Sequence, residues 1–249
     1  MEVLGCSLNA LTLRESIERA VRIAQVGGAT QHVVVNAGKY VQMEKDQHLA
    51  CIVRSAGFVN ADGMAVVWAA RVLGRPLPER VTGIDMFQGL LKRCEDLGIP
   101  IYLLGATDEV LSQLLVVLNL THPNLIIAGW RNGYFGDAGS AEVVDAIRGS
   151  GARMLFVGMP TPRKEYWLAE NLTRLEVPFC MGVGGSFDVV CGHVRRAPLW
   201  MQGVGLEWFY RLVQEPRRMW RRYVVGNATF IRLVAREWMR MRLRSRDAL

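Results

Sequence analysis

The sequence predicts an α/β protein whose mostly parallel sheet is covered by helices on both faces. The chain has 249 residues, 51% of them hydrophobic, which is enough to bury a large core. Short apolar runs rich in β-branched residues alternate with longer segments whose apolar residues recur every three or four positions. Strands that alternate with helices along a chain favour a parallel sheet with both faces buried.

Six strands are predicted, each from a short apolar run. In chain order they are "QHVVVNA", "GFVNA", "IPIYLLGA", "LIIAGW", "ARMLFVGM" and "VPFCMGVG". Predicted helices between them include "GIDMFQGLLKRCEDLG", "DEVLSQLLVVLNLTHP" and "SAEVVDAIRGSG". Tryptophan and arginine become frequent after Pro198. We therefore expect a catalytic or binding body over residues 1–198 and an appendage over residues 199–249.

The composition argues against several classes of protein. The five cysteines and four histidines show no zinc-ligand spacing, so we expect no structural metal. The first thirty residues carry Glu15, Arg19 and Arg22 through their apolar pattern, unlike a signal peptide. No segment reaches the roughly 18 uncharged apolar residues of a membrane-spanning helix. A reduced cytoplasmic protein without a metal ion or cofactor is the simplest expectation.

The positive charge of the chain is concentrated at its C-terminal end. Residues 211–249 contain eleven arginines and three acidic residues, a net charge of +8, whereas the whole chain carries +7. The other 210 residues therefore carry a net −1. Such an asymmetry predicts a near-neutral body with a basic tail that meets an anionic partner, although a solvated basic helix is the alternative.

Polar and small residues follow the predicted strands, where parallel sheets bind their ligands. They are Asn36, Asn60, Asp62, Gly63, Gly105, Gly158, Gly184 and Gly185. Asp62 is either a catalytic carboxylate or the N-cap of the next helix. The glycines of "GVGGSFD" let backbone amides approach a phosphate or a sugar, but glycine-rich strand ends are also common. In "GMPTPRKEYW", Lys164 and Glu165 belong either to a site or to a charged first turn.

Five motifs in this order are similar to those of a known family. They are "NADG", "RVTGIDMF", "GMPTPRKEYW", "GVGGSFDVVCGHVRRAPLW" and "GLEWFYRLVQEPRRMWRRY". From about residue 36 to residue 223 the chain resembles the WecG/TagA/CpsF family of bacterial glycosyltransferases. The resemblance implies a Rossmann-like domain and a C-terminal appendage that closes over the active site and touches the membrane.

The resemblance also implies an activity. An inverting, nucleotide-sugar-dependent hexosyltransferase would move a hexose from a UDP-sugar to a polyprenyl-diphosphate-linked saccharide in surface polysaccharide or exopolysaccharide synthesis. Its expected partners are these two substrates and an anionic membrane surface, with no nucleic acid; a homo-oligomer stays open. The expected location is peripheral, at the cytoplasmic face of the bacterial inner membrane.

Particular residues match the residues of the family that carry the reaction. Asp62 corresponds to the proposed general base, and Asn36 to an asparagine that contacts a sugar or positions the base. The chain has no Asp-x-Asp motif for a metal, so arginines are expected to face the diphosphate. These arginines are Arg80, Arg211, Arg218 and Arg221. The glycines above, Asn60, Lys164 and Glu165 are predicted to bind substrate.

The chain departs from the family pattern at two positions. Val34 replaces a threonine, and Lys164 replaces the glutamine of a "P-x-Q-E" motif. Both positions lie near the expected sugar pocket, so the identity of the donor sugar stays open. Two other functions also compete with the transferase: a nucleic-acid-binding protein that uses the basic tail, and a Rossmann-type oxidoreductase.

The tail predicts an amphipathic helix from about Thr229. Its apolar side carries Phe230, Val234, Trp238 and Met241. Its opposite side carries Arg232, Arg236 and Arg240. A helix of this kind lies in the interface of an anionic membrane. The alternative is a helix that packs on the body, or on a second subunit, through the same apolar side.

Overall fold

The computed structural model describes residues 1–203, 205–214 and 216–246. It confirms the predicted α/β class, with one parallel sheet between layers of helices and a long C-terminal helix. Among these described residues, none of the helices has the length and hydropathy that crossing a bilayer requires.

All six predicted strands form, and they make one parallel sheet. A short antiparallel hairpin, which the sequence did not predict, precedes them: β1 (Glu2–Val3) and β2 (Cys6–Ser7). The sheet strands are β3 (Thr30–Val35), β4 (Phe58–Ala61), β5 (Ile101–Gly105), β6 (Ile127–Arg131), β7 (Met154–Gly158) and β8 (Phe179–Gly182). Their spatial order is β4-β3-β8-β7-β5-β6, so β4 and β6 are the edge strands.

Helices connect the strands and cover both faces of the sheet. The predicted body, residues 1–198, contains α1 (Leu13–Val26), α2 (Ala37–Lys45), α3 (Gln47–Ser55), α4 (Met64–Val72), α5 (Gly83–Leu97), α6 (Asp108–Thr121), α7 (Asp137–Gly149), α8 (Arg163–Leu175) and α9 (Ser186–Val190). The predicted appendage, residues 199–249, contains α10 (Leu199–Gly203), α11 (Glu207–Gln214) and α12 (Pro216–Arg246). We use these two names for the two parts of the chain.

Local sequence explains where several helices begin. Thr12, Asn36, Asp46, Thr82 and Thr107 each accept a hydrogen bond from the first turn of the helix that follows. A side-chain oxygen at this position satisfies an amide that has no partner within the helix. These caps fix the helix starts directly after the carboxyl ends of β3 and β5, which lie at the same edge of the sheet as the candidate site.

Alternate residues of the central strands pack into separate cores on the two faces of the sheet. Phe58 and Phe179 belong to the cluster that α1, α5 and α6 cover. Val33 and Val59 belong to the cluster beneath α2, α3 and α4 on the opposite face. Because both faces are buried, the strands are almost continuously apolar, as expected for a parallel sheet.

The long helix α12 does not lie apart from the body. Phe230 and Leu233 are 4% and 7% exposed, and the ring of Phe230 lies 5.8 Å from that of Tyr40 on α2. Val234 and Met241 pack against the same cluster. In the described structure Phe230, Val234 and Met241 therefore pack on the body, which is the alternative that the sequence left open, whereas Trp238 is 37% exposed.

Candidate active site

Asn36 and Asp62 meet where two neighbouring strands end. Val35 pairs with Ala61 in the parallel ladder, and the Asp62 amide donates to the Val35 carbonyl at 2.8 Å. Asn36 caps α2, with its side-chain oxygen accepting from the Lys39 amide at 3.0 Å. Both side chains are half-buried. The structure therefore brings these two predicted site residues together at the carboxyl edge of the sheet.

Asp62 does not act as the helix cap that the sequence left as an alternative. The residue at the N-cap of α4 is Gly63, which has no side chain that could bond the first turn of the helix. Gly63 has a φ of +103°, and open space surrounds the position that a Cβ would take. The chain turns sharply here without a side chain in the way, so that Asp62 stands at the rim of the sheet.

Two arginines and three carboxylates gather around this strand end. We call this group, Asp62, Arg80, Asp85, Arg196 and Glu207, the acid–arginine cluster. Arg80 Nη1 lies 3.1 Å from Glu207 Oε2, and Arg196 Nη1 lies 2.6 Å from Asp85 Oδ1. The Val81 amide bonds to the Ala61 carbonyl at 2.8 Å, which places the loop of Arg80 beside the Asp62 strand.

The cluster joins the body to the appendage. Arg196 donates to Gln202 of α10 at 2.9 Å, and its Nε lies 3.9 Å from Glu207 of α11. Burial works to raise the pKa of Asp85, but the hydrogen bonds from Arg196 and Thr82 outweigh it and hold the pKa below its ordinary value. Asp85 and Arg196 therefore stabilise each other in their charged forms.

A second charged group lies between the ends of β3 and β8. We call Lys39, Thr161, Lys164 and Glu165 the lysine–glutamate cluster. Glu165 Oε1 is 2.7 Å from Lys39 Nζ and 3.1 Å from Lys164 Nζ, and it accepts from the Thr161 hydroxyl at 3.2 Å. Lys164 also donates to Thr161. These contacts enclose predicted residues Lys164 and Glu165 in a buried network.

Electrostatics keep the Glu165 carboxylate ionised despite its burial. Burial works to raise its pKa, yet the two neighbouring ammonium groups outweigh this effect and lower the pKa. Its second oxygen, Oε2, has no hydrogen-bond partner in the described structure. The stem of Lys164 runs so close to Gly182 that a Cβ there would lie 2.7 Å from Lys164 Cδ. A side chain at residue 182 would therefore displace the outer part of the Lys164 side chain.

Asn60, predicted to bind substrate, lies inside the fold. It is 0% exposed, its Oδ1 is 2.9 Å from His32 Nε2, and its Nδ2 donates to Ser16 at 3.0 Å. Both ends of its amide are therefore engaged by the protein. Its observed role is to tie β3, β4 and α1 together beneath the strand end that carries Asp62.

The glycines predicted to bind substrate fall into two groups. Gly105 has a φ of +124°, and a Cβ there would lie 2.5 Å from the Gly158 backbone. A Cβ at Gly158 would in turn lie 2.6 Å from the ring of Phe187. Close packing accounts for both. Gly184 and Gly185 lie in the loop between β8 and α9, where Gly184 is half-buried and Gly185 exposed.

The remaining predicted residues are the appendage arginines. Arg211 lies within the range of α11, and Arg218 and Arg221 lie within that of α12. Their side chains are outside the described part of the structure. Their expected contacts with a diphosphate therefore stay predictions.

Four charged residues of the two clusters were not singled out from the sequence: Lys39, Asp85, Arg196 and Glu207. Arg196 and Asp85 are 111 positions apart, Arg80 and Glu207 are 127 apart, and Lys39 and Glu165 are 126 apart. Three of the four lie inside motifs already quoted, "RVTGIDMF", "HVRRAPLW" and "GLEWFYRL". Their presence was visible in the sequence, but their pairing was not.

These features define an α/β protein whose charged groups gather at the carboxyl edge of a parallel sheet, where such folds bind ligands. The family model described as "Glycosyl transferase WecG/TagA/CpsF family" matches residues 1–244. The match covers nearly all of the chain, so the protein belongs to this glycosyltransferase family, and the resemblance found in its motifs is confirmed. Membership implies, in general, a nucleotide-sugar donor and a lipid-linked acceptor.

Proposed function

We propose that the protein is an inverting hexosyltransferase that uses a UDP-sugar and a polyprenyl-diphosphate-linked saccharide in surface polysaccharide or exopolysaccharide synthesis. The observation that carries the proposal is the meeting of Asn36, Asp62 and Arg80 at two adjacent strand ends. A carboxylate beside arginines suits a transfer in which a hydroxyl loses a proton while a diphosphate leaves.

In the proposed reaction, Asp62 accepts the proton of the attacking sugar hydroxyl. The bond between the anomeric carbon and the donor phosphate oxygen breaks on the opposite face, and the electron pair leaves with the nucleotide diphosphate. Arg80 meets the charge that develops on this leaving group, since a guanidinium stays protonated and bonds phosphate oxygens well. Asn36 is proposed to orient the acceptor or the base.

Arginines are proposed to replace a metal ion at the diphosphate. Arg80 and Arg196 both stand beside the Asp62 strand end, already held by carboxylates. The side chains that the structure describes include no group of three histidine, cysteine, aspartate or glutamate residues able to hold a metal ion. Transfer is therefore expected to continue in EDTA; loss of activity that magnesium or manganese restores would contradict the proposal.

We also propose that residues 1–198 form the catalytic body and residues 199–249 form the appendage. The appendage is proposed to hold the enzyme at an anionic membrane through the outward face of α12. Ile231, Met239 and Leu243 are 66%, 53% and 60% exposed. Arg232, Arg240 and Arg242 are exposed on the same helix. Near an anionic surface each arginine contributes about 1 kcal/mol, so reversible binding at the cytoplasmic membrane face follows.

A liposome experiment tests the membrane part of the proposal. The wild-type protein is expected to sediment with vesicles that contain anionic lipid at low salt, and Leu243→Glu to sediment less. Val116→Glu is the matched control, because Val116 is also 60% exposed on a helix but lies on α6 of the body. Equal sedimentation of the two variants would contradict the proposed surface.

A donor screen tests the enzymatic part. Purified protein is mixed with a short-chain polyprenyl-diphosphate saccharide and a panel of UDP-hexoses, and released UDP is measured. One donor is expected to give UDP together with a lengthened acceptor. Tight, salt-sensitive binding of single-stranded nucleic acid without any transfer would instead favour the nucleic-acid-binding alternative. Binding of a nicotinamide dinucleotide, followed by fluorescence, would favour the oxidoreductase alternative.

A further inference from the structure

Helix α11 turns an apolar side toward solvent. Leu206 directly precedes this helix, and its carbonyl accepts from the Tyr210 amide at 3.2 Å, so helical spacing already applies to it. Leu206, Phe209 and Val213 therefore lie on one side, at i, i+3 and i+7. We call these three residues the apolar face of α11. In the described structure they are 37%, 46% and 64% exposed, whereas a solvated helix usually presents polar residues outward.

The apolar face begins at the candidate active site. Glu207, the residue after Leu206, has its Oε2 3.1 Å from Nη1 of Arg80 in the acid–arginine cluster. The Val81 amide, next to Arg80, bonds the Ala61 carbonyl at 2.8 Å and so joins this loop to β4. From Leu206 the face continues along the helix for about 10 Å, at 1.5 Å per residue.

The body adds apolar surface at the same end of α11. Gly205 packs against α4, where a Cβ would lie 2.7 Å from Met64 Cγ and 3.5 Å from Trp68 Cη2. The side chain of Trp68 is 49% exposed. Because α4 begins two residues after Asp62, an exposed indole and the start of the apolar face both lie beside the strand end that carries Asp62.

A lipid-linked acceptor accounts for apolar surface at this place. Membership of the family implies such an acceptor in general, and its saccharide is proposed to lie at Asp62. The lipid chain then has to leave the site across the surface of the protein. The surface that receives it has to be apolar and continuous with the site. A second copy of the chain or a bilayer could also cover apolar residues, but neither would require them to begin at the active site.

We propose that the apolar face of α11, together with Trp68, binds the isoprenoid chain of the acceptor where this chain leaves the active site. The inference rests on the function proposed above. Binding removes apolar surface of both the chain and the helix from water, which is favourable. A diphosphate that carries an isoprenoid chain is therefore expected to bind more tightly than a diphosphate without one.

Titration calorimetry with two water-soluble probes tests the proposal. Farnesyl diphosphate carries an isoprenoid chain, and inorganic diphosphate does not. The wild-type protein is expected to bind farnesyl diphosphate at least about tenfold more tightly. In Phe209→Gln the affinity for farnesyl diphosphate is expected to fall by about tenfold, because a ring that covers the chain is lost, while the affinity for inorganic diphosphate stays the same.

Two valines provide a matched pair of variants. Val213 and Val116 are 64% and 60% exposed, and each lies on a helix, but Val116 is on α6 of the body. Val213→Gln is expected to weaken the binding of farnesyl diphosphate, and Val116→Gln to leave it unchanged. If Phe209→Gln does not fold, this pair decides. Equal affinity of the wild type for the two probes would overturn the proposal, and so would equal weakening in the two valine variants.

Other occupants of the apolar face would give different results. If a second copy covers it, the wild type sediments as a dimer in analytical ultracentrifugation and Val213→Gln as a monomer. If a bilayer covers it, Val213→Gln sediments less with anionic vesicles than Val116→Gln does. Either result, with unchanged binding of farnesyl diphosphate in Val213→Gln, would overturn the proposal.

The same measurements separate this inference from the proposed function. If the wild type releases UDP with a short-chain acceptor but shows no preference for farnesyl diphosphate, the proposed function stands and the inference fails. If binding of farnesyl diphosphate depends on Phe209 and Val213 but no UDP-hexose is turned over, the inference is supported and the proposed transfer is contradicted.

Discussion

The two charged clusters of this protein differ in how deeply their side chains are buried and in which parts of the chain supply them. In the lysine–glutamate cluster the side chains of Lys39 and Glu165 are 6% and 2% exposed, and every member belongs to the body. In the acid–arginine cluster Arg80 and Glu207 are each 16% exposed, and Glu207 comes from the appendage. The first cluster is a permanent part of the fold, whereas the second is complete only when α11 sits against the body.

Because of this difference, we expect the lysine–glutamate cluster to contribute mainly to stability and the acid–arginine cluster mainly to catalysis. Charges removed from water are costly unless they stay paired, so a broken pair in the lysine–glutamate cluster weakens the fold. The side chains of the acid–arginine cluster are more exposed, at 16% to 29%, and lie where the substrates are proposed to bind. Changes in the first cluster are therefore expected to alter the free energy of unfolding, and changes in the second to alter the rate.

The largest expected effect is the loss of stability in Lys39→Met. Glu165 then loses its 2.7 Å partner while it stays buried, but it keeps Lys164 at 3.1 Å. Breaking a buried ion pair costs about 3–5 kcal/mol, and the retained lysine places the expected loss at the lower end of this range. The free energy of unfolding is measured by urea denaturation. Lys45→Met on the same helix is the control, because Lys45 is exposed. Equal losses in the two variants would show that the buried pair contributes no more to the free energy of unfolding than an exposed lysine does.

The stability of the fold is also expected to decrease at acidic pH because of the buried His32. Burial lowers the pKa of His32 to about 4, against the hydrogen bond with Asn60. The unfolded chain then binds more protons than the folded one between pH 6.5 and 4, so stability is complete above this window and falls within it. The total loss is about 3 kcal/mol.

Urea denaturation at pH 7, 5 and 4 checks this expectation. His32→Gln removes the titrating ring and is expected to flatten the pH dependence. His193→Gln changes an exposed histidine and is expected to keep the wild-type dependence. If His32→Gln loses stability on acidification as steeply as the wild type, another group is responsible.

A substitution of Asp62 is expected to lower the rate of transfer without changing the stability of the fold. Asp62→Asn keeps the size of the side chain but cannot accept the proton, so kcat is expected to fall by roughly 10²-fold or more. The melting temperature and UDP binding are expected to stay as in the wild type. Asp145→Asn, which changes an exposed aspartate on α7, is the control. Unchanged turnover in Asp62→Asn would remove this carboxylate from the mechanism.

The smallest expected effect is at an exposed contact between body and appendage. Arg236 Nη2 lies 3.3 Å from Glu44 Oε1, and both side chains are largely exposed. Exposed pairs of this kind contribute about 0–1 kcal/mol. Arg236→Ala is therefore expected to leave the free energy of unfolding almost unchanged in urea denaturation. A loss as large as that of Lys39→Met would contradict the distinction between enclosed and exposed charges.

The sequence predicted the sheet because hydrophobic periodicity is a local signal. Each of the six strands came from a run of only a few apolar residues, and the helices between them from their spacing. The order β4-β3-β8-β7-β5-β6 was not predicted, because it depends on contacts between distant segments. The hairpin of β1 and β2 was missed since each strand has only two residues.

The candidate site was predictable to the same extent. Asn36 and Asp62 each follow a predicted strand, so a parallel sheet places both at its carboxyl edge; that the two strands are neighbours was not predicted. The enclosure of Asn60 was not predictable, because it depends on His32 and Ser16 from other elements. Nor did the pattern of α12 identify what covers its apolar side, since the body and a bilayer offer similar surroundings to Phe230.

The burial of Phe230 has a practical consequence for shortened forms of the protein. The ring of Tyr40 is 3% exposed in the full chain, with Phe230 packed against it. A chain that ends before α12 would leave this part of α2 open to water, and contiguous apolar patches of that kind promote self-association. Removal of the basic tail is therefore expected to increase self-association of the protein, because α12 covers an apolar surface through which the bodies of two molecules could otherwise associate.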